Sequence, residues 1–420
     1  MGKAFADTTV AVVIPVYGRE DAFVTVGLLR KWPSACRLRI LIVDNGNGPE
    51  LSARLGTLVG DDCEVIRLAT NQGGAGAYRA GMLAALKTDA EYLWLLDDDA
   101  LPNERTLPGL LSVFAEESAR GGAPVGVVGS AMLGRVHPKL VTEVGCHVSR
   151  LTGLRRRYLE GADIESLGER TFPVDYCAAA SFLVRREAVE KVGVFEDIFI
   201  HQDDVDFCFR VREGGFRVLA TTRSTVNHPE ETEKFALWLL YFDRRNKIWM
   251  IDRHLPWCVR IGFRILQNAY WLMFRYHGFR SAADLIRLGI RHAKTGERLM
   301  RTDLRLPSGG KTVRELVADA DFVGVLARPE EIAAAMRTEL SAAGVSDPQV
   351  IVCWPHGVKS FSTACRAFFA QLRMQIRIWR AHAPVVFQDC FCVRDYPLRL
   401  FCRRKVFFTA SNGKVEIIPS

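Results

Sequence analysis

At 420 residues, 49% of them apolar, the chain is long enough for two or three core-forming domains, and this composition excludes disorder over most of its length. Its 56 Lys and Arg against 48 Asp and Glu leave a net charge of +8, which favours an anionic partner: a phosphorylated substrate, a nucleic acid or an anionic membrane face. Eleven cysteines without regular spacing fit a reducing cytosol better than a disulfide framework, and the C-x-C pair Cys390 and Cys392 has no partner pair at metal spacing, so no zinc site is expected.

The first segment, MGKAFADTTVAVVIPVYG, lacks an h-region followed by a cleavage site, so secretion is not expected. Four apolar β-type runs follow: TVAVVIPV (9–16), LRILIVDN (38–45), CEVIRLAT (63–70) and EYLWLLDD (91–98). Helix-like segments separate them, most clearly GAYRAGMLAALKT (76–88). Strands alternating with helices predict an α/β fold with a parallel sheet covered on both faces. In such sheets ligands bind at the carboxyl ends of the strands. Asp44 with Asn45, Asn71 with Gln72, and the Asp97–Asp99 triplet all fall there, so those loops should converge on one pocket.

PVGVVGSAML, SFLVRREAVEKVGVF and FRVLATTRSTVNH continue the strands and a short helix between about 120 and 230. Residues 235–305 hold four of the eight Trp and fourteen Lys or Arg against five Asp or Glu. This region reads either as a packed helical subdomain with a basic outer face or as a surface that leans on an anionic membrane leaflet. No nucleic-acid recognition motif accompanies the charges. No stretch reaches the roughly 18 uncharged apolar residues of a membrane span. After a linker-like LPSGGK comes one β-α-β-like stretch, DFVGVLARPEEIAAAMRTELSAAGVSDPQVIVCW. There is no internal repeat.

Asp97, Asp98 and Asp99 repel one another unless water or a cation intervenes, so they are a solvated turn or a cation site. Alternation along a strand would point Asp97 and Asp99 the same way, which suits a hard divalent cation such as Mg²⁺ or Mn²⁺. NQGGAGAYRAG (71–81) invites a dinucleotide-binding reading, but Arg79 stands where the third glycine belongs. What remains is a glycine-rich helix start that offers N–H groups to an anion, with Arg79 nearby. Asp203, Asp204 and Asp206 precede a short amphipathic helix, where acids either cap the helix or supply a general base. His228 ends an apolar strand.

Taken in order, VVIPVYGRED, ILIVDNGNG, NQGGAGAYRAG, LWLLDDDALP, the HQDDVDFCFR region and VNH resemble the family 2 glycosyltransferases of the GT-A fold over roughly the first 230 residues. These are inverting enzymes that use nucleotide-diphosphate sugars. The resemblance implies that Pro15, Val16, Tyr17 and Arg19 line the nucleotide pocket, that Asp44 contacts the base, and that Asn71, Gly73, Gly74, Arg79 and Asp98 complete the donor side. Asp97 and Asp99 look like the metal-binding pair and His228 like the third ligand of a divalent metal, Mn²⁺ or Mg²⁺. Asp204 falls at the catalytic base, with Asp203 and Asp206 in support. NQGGAGAYRAG is most similar to bacterial galactofuranosyltransferases, with Ala77 in place of a further glycine, and then to rhamnosyltransferases using dTDP-rhamnose. UDP-galactofuranose is the first choice of donor.

The implied organisation is a GT-A domain over 1–232 (donor half about 1–120, acceptor half about 121–232), a helical basic and aromatic region over 233–306, and an accessory domain over 311–420. The acceptor would be a cell-envelope glycan or a lipid-diphosphate-linked sugar. The protein would work in the cytoplasm, peripherally on the inner leaflet, without nucleic acid and with homo-oligomerisation open. Two rivals stand: a nucleotidyltransferase, for which PVYGRED is a poor phosphate-binding segment, and a non-catalytic sugar-nucleotide-binding or scaffold protein.

Overall fold

Strands buried on both faces by crossover helices read as unbroken apolar runs. The four early runs become β1 (Thr9–Val16), β2 (Arg37–Asp44), β3 (Cys63–Arg67) and β4 (Tyr92–Leu96), all parallel in the order β3-β2-β1-β4. The crossovers are α1 (Asp21–Lys31), α2 (Pro49–Gly56) and α3 (Gly73–Ala85). On α3, a Cβ at Gly81 would stand 2.2 Å from Val13 Cγ1, so its small residues let the helix lie close on β1. The computed structural model describes residues 5–31, 36–229, 236–304, 312–320, 322–327, 330–352, 374, 376–378, 380–381, 384–389, 404–411 and 414–418. Cys390, Cys392 and the LPSGGK segment lie outside the described residues.

The sheet then changes direction. After β5 (Leu101–Pro102) and α4 (Thr106–Arg120) come β6 (Val125–Gly134), β7 (Val141–Glu143), the hairpin of β8 (Cys146–Val148) and β9 (Arg155–Arg157), α5 (Ile164–Leu167) and β10 (Thr171–Pro173). β11 (Ser181–Arg185) inserts antiparallel between β4 and β6, and leads through α6 (Arg186–Val192) and α7 (Asp203–Glu213) to β12 (Arg217–His228), parallel to β6. The full order is β10-β12-β6-β11-β4-β1-β2-β3. A buried chain of polar groups crosses this junction: Trp94 Nε1 donates to Ser181 Oγ at 3.1 Å, and Ser130 Oγ lies 2.8 Å from Ser181 Oγ and 2.7 Å from Ser224 Oγ. Slipping any of these strands by one residue would strand buried hydroxyls at about 1–3 kcal/mol each.

This sheet and its helices belong to a compact unit of Met1–Glu230 with Asn246–Phe263; Glu231–Arg245 with Arg264–Ser420 form a second. Two helices, α8 (Leu239–His254) and α9 (Trp257–His277), contribute residues to both, and α10 (Arg280–Thr295) belongs to the second. In the second unit a basic residue is internal. Arg245 is fully buried, donates to the Tyr241 hydroxyl at 3.1 Å and lies over the Tyr241 and Phe242 rings. Further on, α11 (Val313–Val317), β13 (Phe322–Ala327), α12 (Glu330–Ala342), β14 (Gln349–Val352), β15 (Pro384–Asp389), β16 (Arg404–Ser411) and β17 (Lys414–Ile418) build a sheet of order β14-β13-β15-β16-β17 around Val325, Met336, Leu340 and Phe387. The β-α-β-like stretch is found as β13, α12 and the parallel partner β14. No described helix is long and apolar enough to cross a membrane.

Candidate active site

The carboxylate triplet is turned rather than extended. β4 stops at Leu96, and Ala100 N donates to Asp97 O at 3.1 Å, closing a turn over the three acids. Directly after it, β5 pairs antiparallel with Val226 and Asn227, which brings the end of β12 and its His228 alongside. His228 Nε2 stands 3.4 Å from Asp97 Oδ2 and 3.4 Å from Asp99 Oδ1, and one ligand atom from each of the three residues lies within 4.8 Å of the others. Two carboxylates and an imidazole gathered at this spacing fit a hard divalent cation with positions left open for water or phosphate oxygens.

Charge around the triplet is partly balanced by protein groups. The Arg19 guanidinium pairs with Asp99, whose side chain is almost wholly buried, while Arg19 itself is 44% exposed. Asp98 is not part of the His228 cluster; burial first, then Asp99, pushes its carboxyl up to about 7, against the pull of Arg19. Tyr78, in α3, donates from its hydroxyl to Asp97 Oδ1 at 2.7 Å. Burial and the neighbouring Asp97 raise its pKa well above the usual phenol range, so it remains a donor.

The loops after β2 and β3 are bonded to each other. Asn45 Nδ2 donates to Asn71 Oδ1 and to Gly73 O, both at 3.1 Å, and Asn45 Oδ1 accepts from Gln72 N at 2.8 Å. Asn71 Oδ1 in turn accepts from Gly73 N at 2.8 Å, so both asparagines shape the start of α3. Gly73 has φ +72°, and a Cβ there would meet Phe199 O at 2.0 Å, whereas Gly74 opens onto free space. The Asp44 carboxylate is buried and accepts from Asn47 N, Asn47 Nδ2 and Ser52 Oγ at 2.5–3.1 Å. Val16 offers the site only its backbone, its carbonyl accepting from Asn45 N and Asn47 Nδ2, while Pro15 is half-buried beside it and Tyr17 is 46% exposed. Arg79 donates to Phe195 O at 3.0 Å, in the loop between α6 and α7.

Asp203, Asp204 and Asp206 occupy the first turn of α7 and have different surroundings. Burial, reinforced by Asp204 and by Asp97, raises the Asp203 pKa well above the carboxylate range. Asp204 is also raised by burial, opposed by Arg155 and by the Val205 N–H that donates to its Oδ1 at 2.7 Å. Asp206, despite its burial, is held down at about 2 by His254, Arg210 and Arg253, with contacts of 2.8–3.0 Å. Burial thus favours the neutral form at Asp203 and Asp204, whereas ion pairs favour the anion at Asp206.

Several residues here carry no signal in the sequence. Tyr78 lies inside a helix face of small residues, Asn47 looks like an ordinary turn residue, and Asn246 sits far down the chain. Glu143 is buried beside Asp204, its carboxyl raised by burial, and its Oε1 has no hydrogen-bond partner among the described residues. Arg155, which donates to the Tyr176 hydroxyl at 3.2 Å, belongs to a basic run that reads as a solvated loop. Only a fold that brings the β8–β9 hairpin over α7 gives these residues meaning.

Residues 11–193 match the model of the family described as glycosyl transferase family 2. The pre-mycofactocin glycosyltransferase of Mycobacterium tuberculosis is 30% identical over 242 residues, covering 55% of this chain and 44% of that protein. Galactofuranosyltransferase GlfT1 of Mycolicibacterium smegmatis is 26% identical over 275 residues, covering 62% of this chain and 86% of that protein. The chain thus spans less than half the length of the first of these relatives. Among solved structures, the crystal structure of GalNAc-T7 with UDP, GalNAc and Mn²⁺ aligns with 60% of this chain and 48% of that one, at 14% identity and a TM-score of 0.47. The sheet order and the motifs along it agree with the match of residues 11–193 to the glycosyl transferase family 2 model.

Proposed function

We propose that the protein transfers a sugar from a nucleotide-diphosphate donor to a hydroxyl of a cell-envelope glycan or lipid-linked acceptor, with inversion at the anomeric carbon. The observation that carries this reading is the meeting of ligand atoms of Asp97, Asp99 and His228 within 4.8 Å of one another, with Asp97 near enough to Asp203 and Asp204 to raise both. Asp97, Asp99 and His228 would hold a divalent metal, Mn²⁺ or Mg²⁺. Bound there, such an ion supplies charge neutralisation for the departing nucleoside diphosphate.

The remaining roles fall to the chain's own groups. Arg19 leaves its pairing with Asp99 to meet donor phosphate, and the open N-terminus of α3 at Gly74 presents N–H groups to the same anion. Asp204 takes the proton of the acceptor hydroxyl as that oxygen attacks in line with the leaving diphosphate. Burial, with Asp97 nearby, raises its pKa and so makes it a stronger base than a solvated carboxylate. Asp44, Asn71 and Gly73 shape the donor pocket through the loop bonds described above.

UDP-galactofuranose is our first choice of donor, supported by the likeness to GlfT1 and by the NQGGAGAYRAG segment; dTDP-rhamnose is the alternative. A membrane-bound acceptor is supported by α9, which turns Ile265, Leu272 and Tyr276 outward at 65%, 55% and 58% exposure along one helix side and carries Arg264 and Arg275 but no acid. Such a helix face suits peripheral contact with an anionic leaflet.

The test is release of nucleoside diphosphate and transfer from a panel of UDP-, dTDP- and GDP-sugars, with Mn²⁺ or EDTA, by wild type and Asp97→Ala. Metal-dependent turnover of one donor, lost in the variant, is the expected result. Binding without turnover would favour a sugar-nucleotide-binding scaffold, and the absence of either would end the reading.

A further inference from the structure

Three of the four non-glycine residues with positive φ among the described residues lie within four positions: Phe199 (71°), His201 (66°) and Gln202 (70°). L-residues rarely hold this conformation unless their surroundings enforce it, and such residues gather where strain serves function. The segment leads straight into α7, where Asp206 N donates back to Gln202 O at 2.9 Å. On its other side Phe199 O accepts from Ala75 N of α3 at 3.0 Å. A strained piece of backbone therefore joins the glycine-rich helix start to the helix that carries Asp203 and Asp204.

What enforces it is one side of α8. Asn246, 1% exposed, directs its side-chain Nδ2 at three carbonyls of the segment: Ile198 O at 3.0 Å, Ile200 O at 2.7 Å and His201 O at 3.0 Å. Two turns further along the same helix side, Arg253 donates to Glu196 Oε1 at 3.1 Å and to Asp206 Oδ1 at 3.0 Å. The next residue, His254, lies 2.9 Å from Asp206. Arg253 and His254 hold the two ends of the segment, and Asn246 holds its strained middle.

We propose that Asn246 is a positioning residue of the transfer reaction: its amide fixes the 198–202 backbone and so the direction in which α7 presents Asp204. It touches neither donor nor acceptor. This inference rests on the reading of Asp204 as the base, and it adds to that reading a requirement lying forty-two residues away in sequence. The amide is needed as a donor, because the groups it meets are three carbonyl oxygens. Loss of the donor lets the positive-φ residues relax and swings the start of α7, which lowers turnover, while the start of α3 stays held by Asn45 and Asn71.

The experiment is steady-state transfer from UDP-galactofuranose to an octyl galactofuranoside with Mn²⁺, together with UDP binding, for wild type, Asn246→Ala, Asn246→Ser, Asp204→Asn and the double variant Asn246→Ala with Gln202→Gly. Asn246→Ala should lower kcat at least tenfold while donor KM and UDP affinity stay within twofold. Asn246→Ser, which keeps one donor, should fall between and serves in its place if the alanine variant does not fold. Glycine adopts a φ near +70° without strain, so Gln202→Gly in the Asn246→Ala background should recover a several-fold part of the loss. Wild-type kcat in a folded Asn246 variant, a parallel rise in donor KM, or no recovery by the glycine would each overturn the inference. Full transfer by Asp204→Asn would instead remove the base reading beneath it, a result distinct from any of these.

Discussion

Tyr78 reaches from the second turn of α3 to set its hydroxyl 2.7 Å from Asp97 Oδ1, with Ala179 O 3.1 Å away, so the glycine-rich helix orients the first carboxylate of the triplet. Groups that hydrogen-bond a ligand set its direction and typically matter about 10–100-fold to metal affinity. Tyr78→Phe keeps the buried ring and removes only the donor. Mn²⁺ titration by calorimetry should show affinity weakened about tenfold with the thermal transition little changed. Unchanged affinity would mean that Asp97 is oriented by its backbone alone.

Gly73 and Gly74 stand side by side and should respond oppositely to alanine. At Gly73 the new Cβ would press on the Phe199 carbonyl and hold a φ of +72°, costing on the order of 3 kcal/mol or more. At Gly74 nothing lies within 4 Å, and alanine is the better helix former by up to about 1 kcal/mol. Urea unfolding of the two variants should therefore separate them in sign. Equal effects would contradict the close approach of α3 to Phe199.

Asp206 should contribute stability with a definite pH dependence. Its carboxyl is lowered from 3.8 to about 2, so the folded state gains about 2 kcal/mol that is present above pH 4 and lost as pH falls through 2. Asp206→Asn should cost about that much at pH 7, with the gap to wild type narrowing between pH 4 and pH 2 in denaturant titrations. A gap independent of pH would assign the loss to packing rather than to charge.

The exposed side of α9 makes a prediction about lipid. Ile265→Asp with Leu272→Asp changes solvent-facing positions, so folding should be retained while sedimentation with phosphatidylglycerol vesicles falls severalfold. Wild-type binding by this double variant would place the membrane contact elsewhere. Loss of self-association with vesicle binding unchanged would identify the face as a contact between copies.

Much of the first half of the fold was legible because β1, β2 and β4 are buried on both faces and so read as continuous apolar runs. The triplet was visible by its charge, but strand alternation is not what gathers Asp97 and Asp99: the turn after Leu96 and the pairing of β5 with β12 do that. His228 could be singled out only by resemblance, since the contact depends on a partner about 130 residues earlier in the chain. The antiparallel entry of β11 between β4 and β6 left no trace, because periodicity carries no information on direction. Asn246 and Glu143 were invisible for the same reason: each gains its role from what the fold packs against it.

The single backbone bond from Ala75 N to Phe199 O also bears on how this scaffold could be adapted. Changes at 71–75 made to accommodate another sugar would be transmitted to the helix bearing Asp204, the proposed proton acceptor, so altered donor choice and lost turnover would arrive together. Tyr17 and Arg19 are free of that coupling: both are close to half exposed, and neither supports α7. Substrate breadth in this protein should therefore be easier to widen from the loop after β1 than from the glycine-rich one.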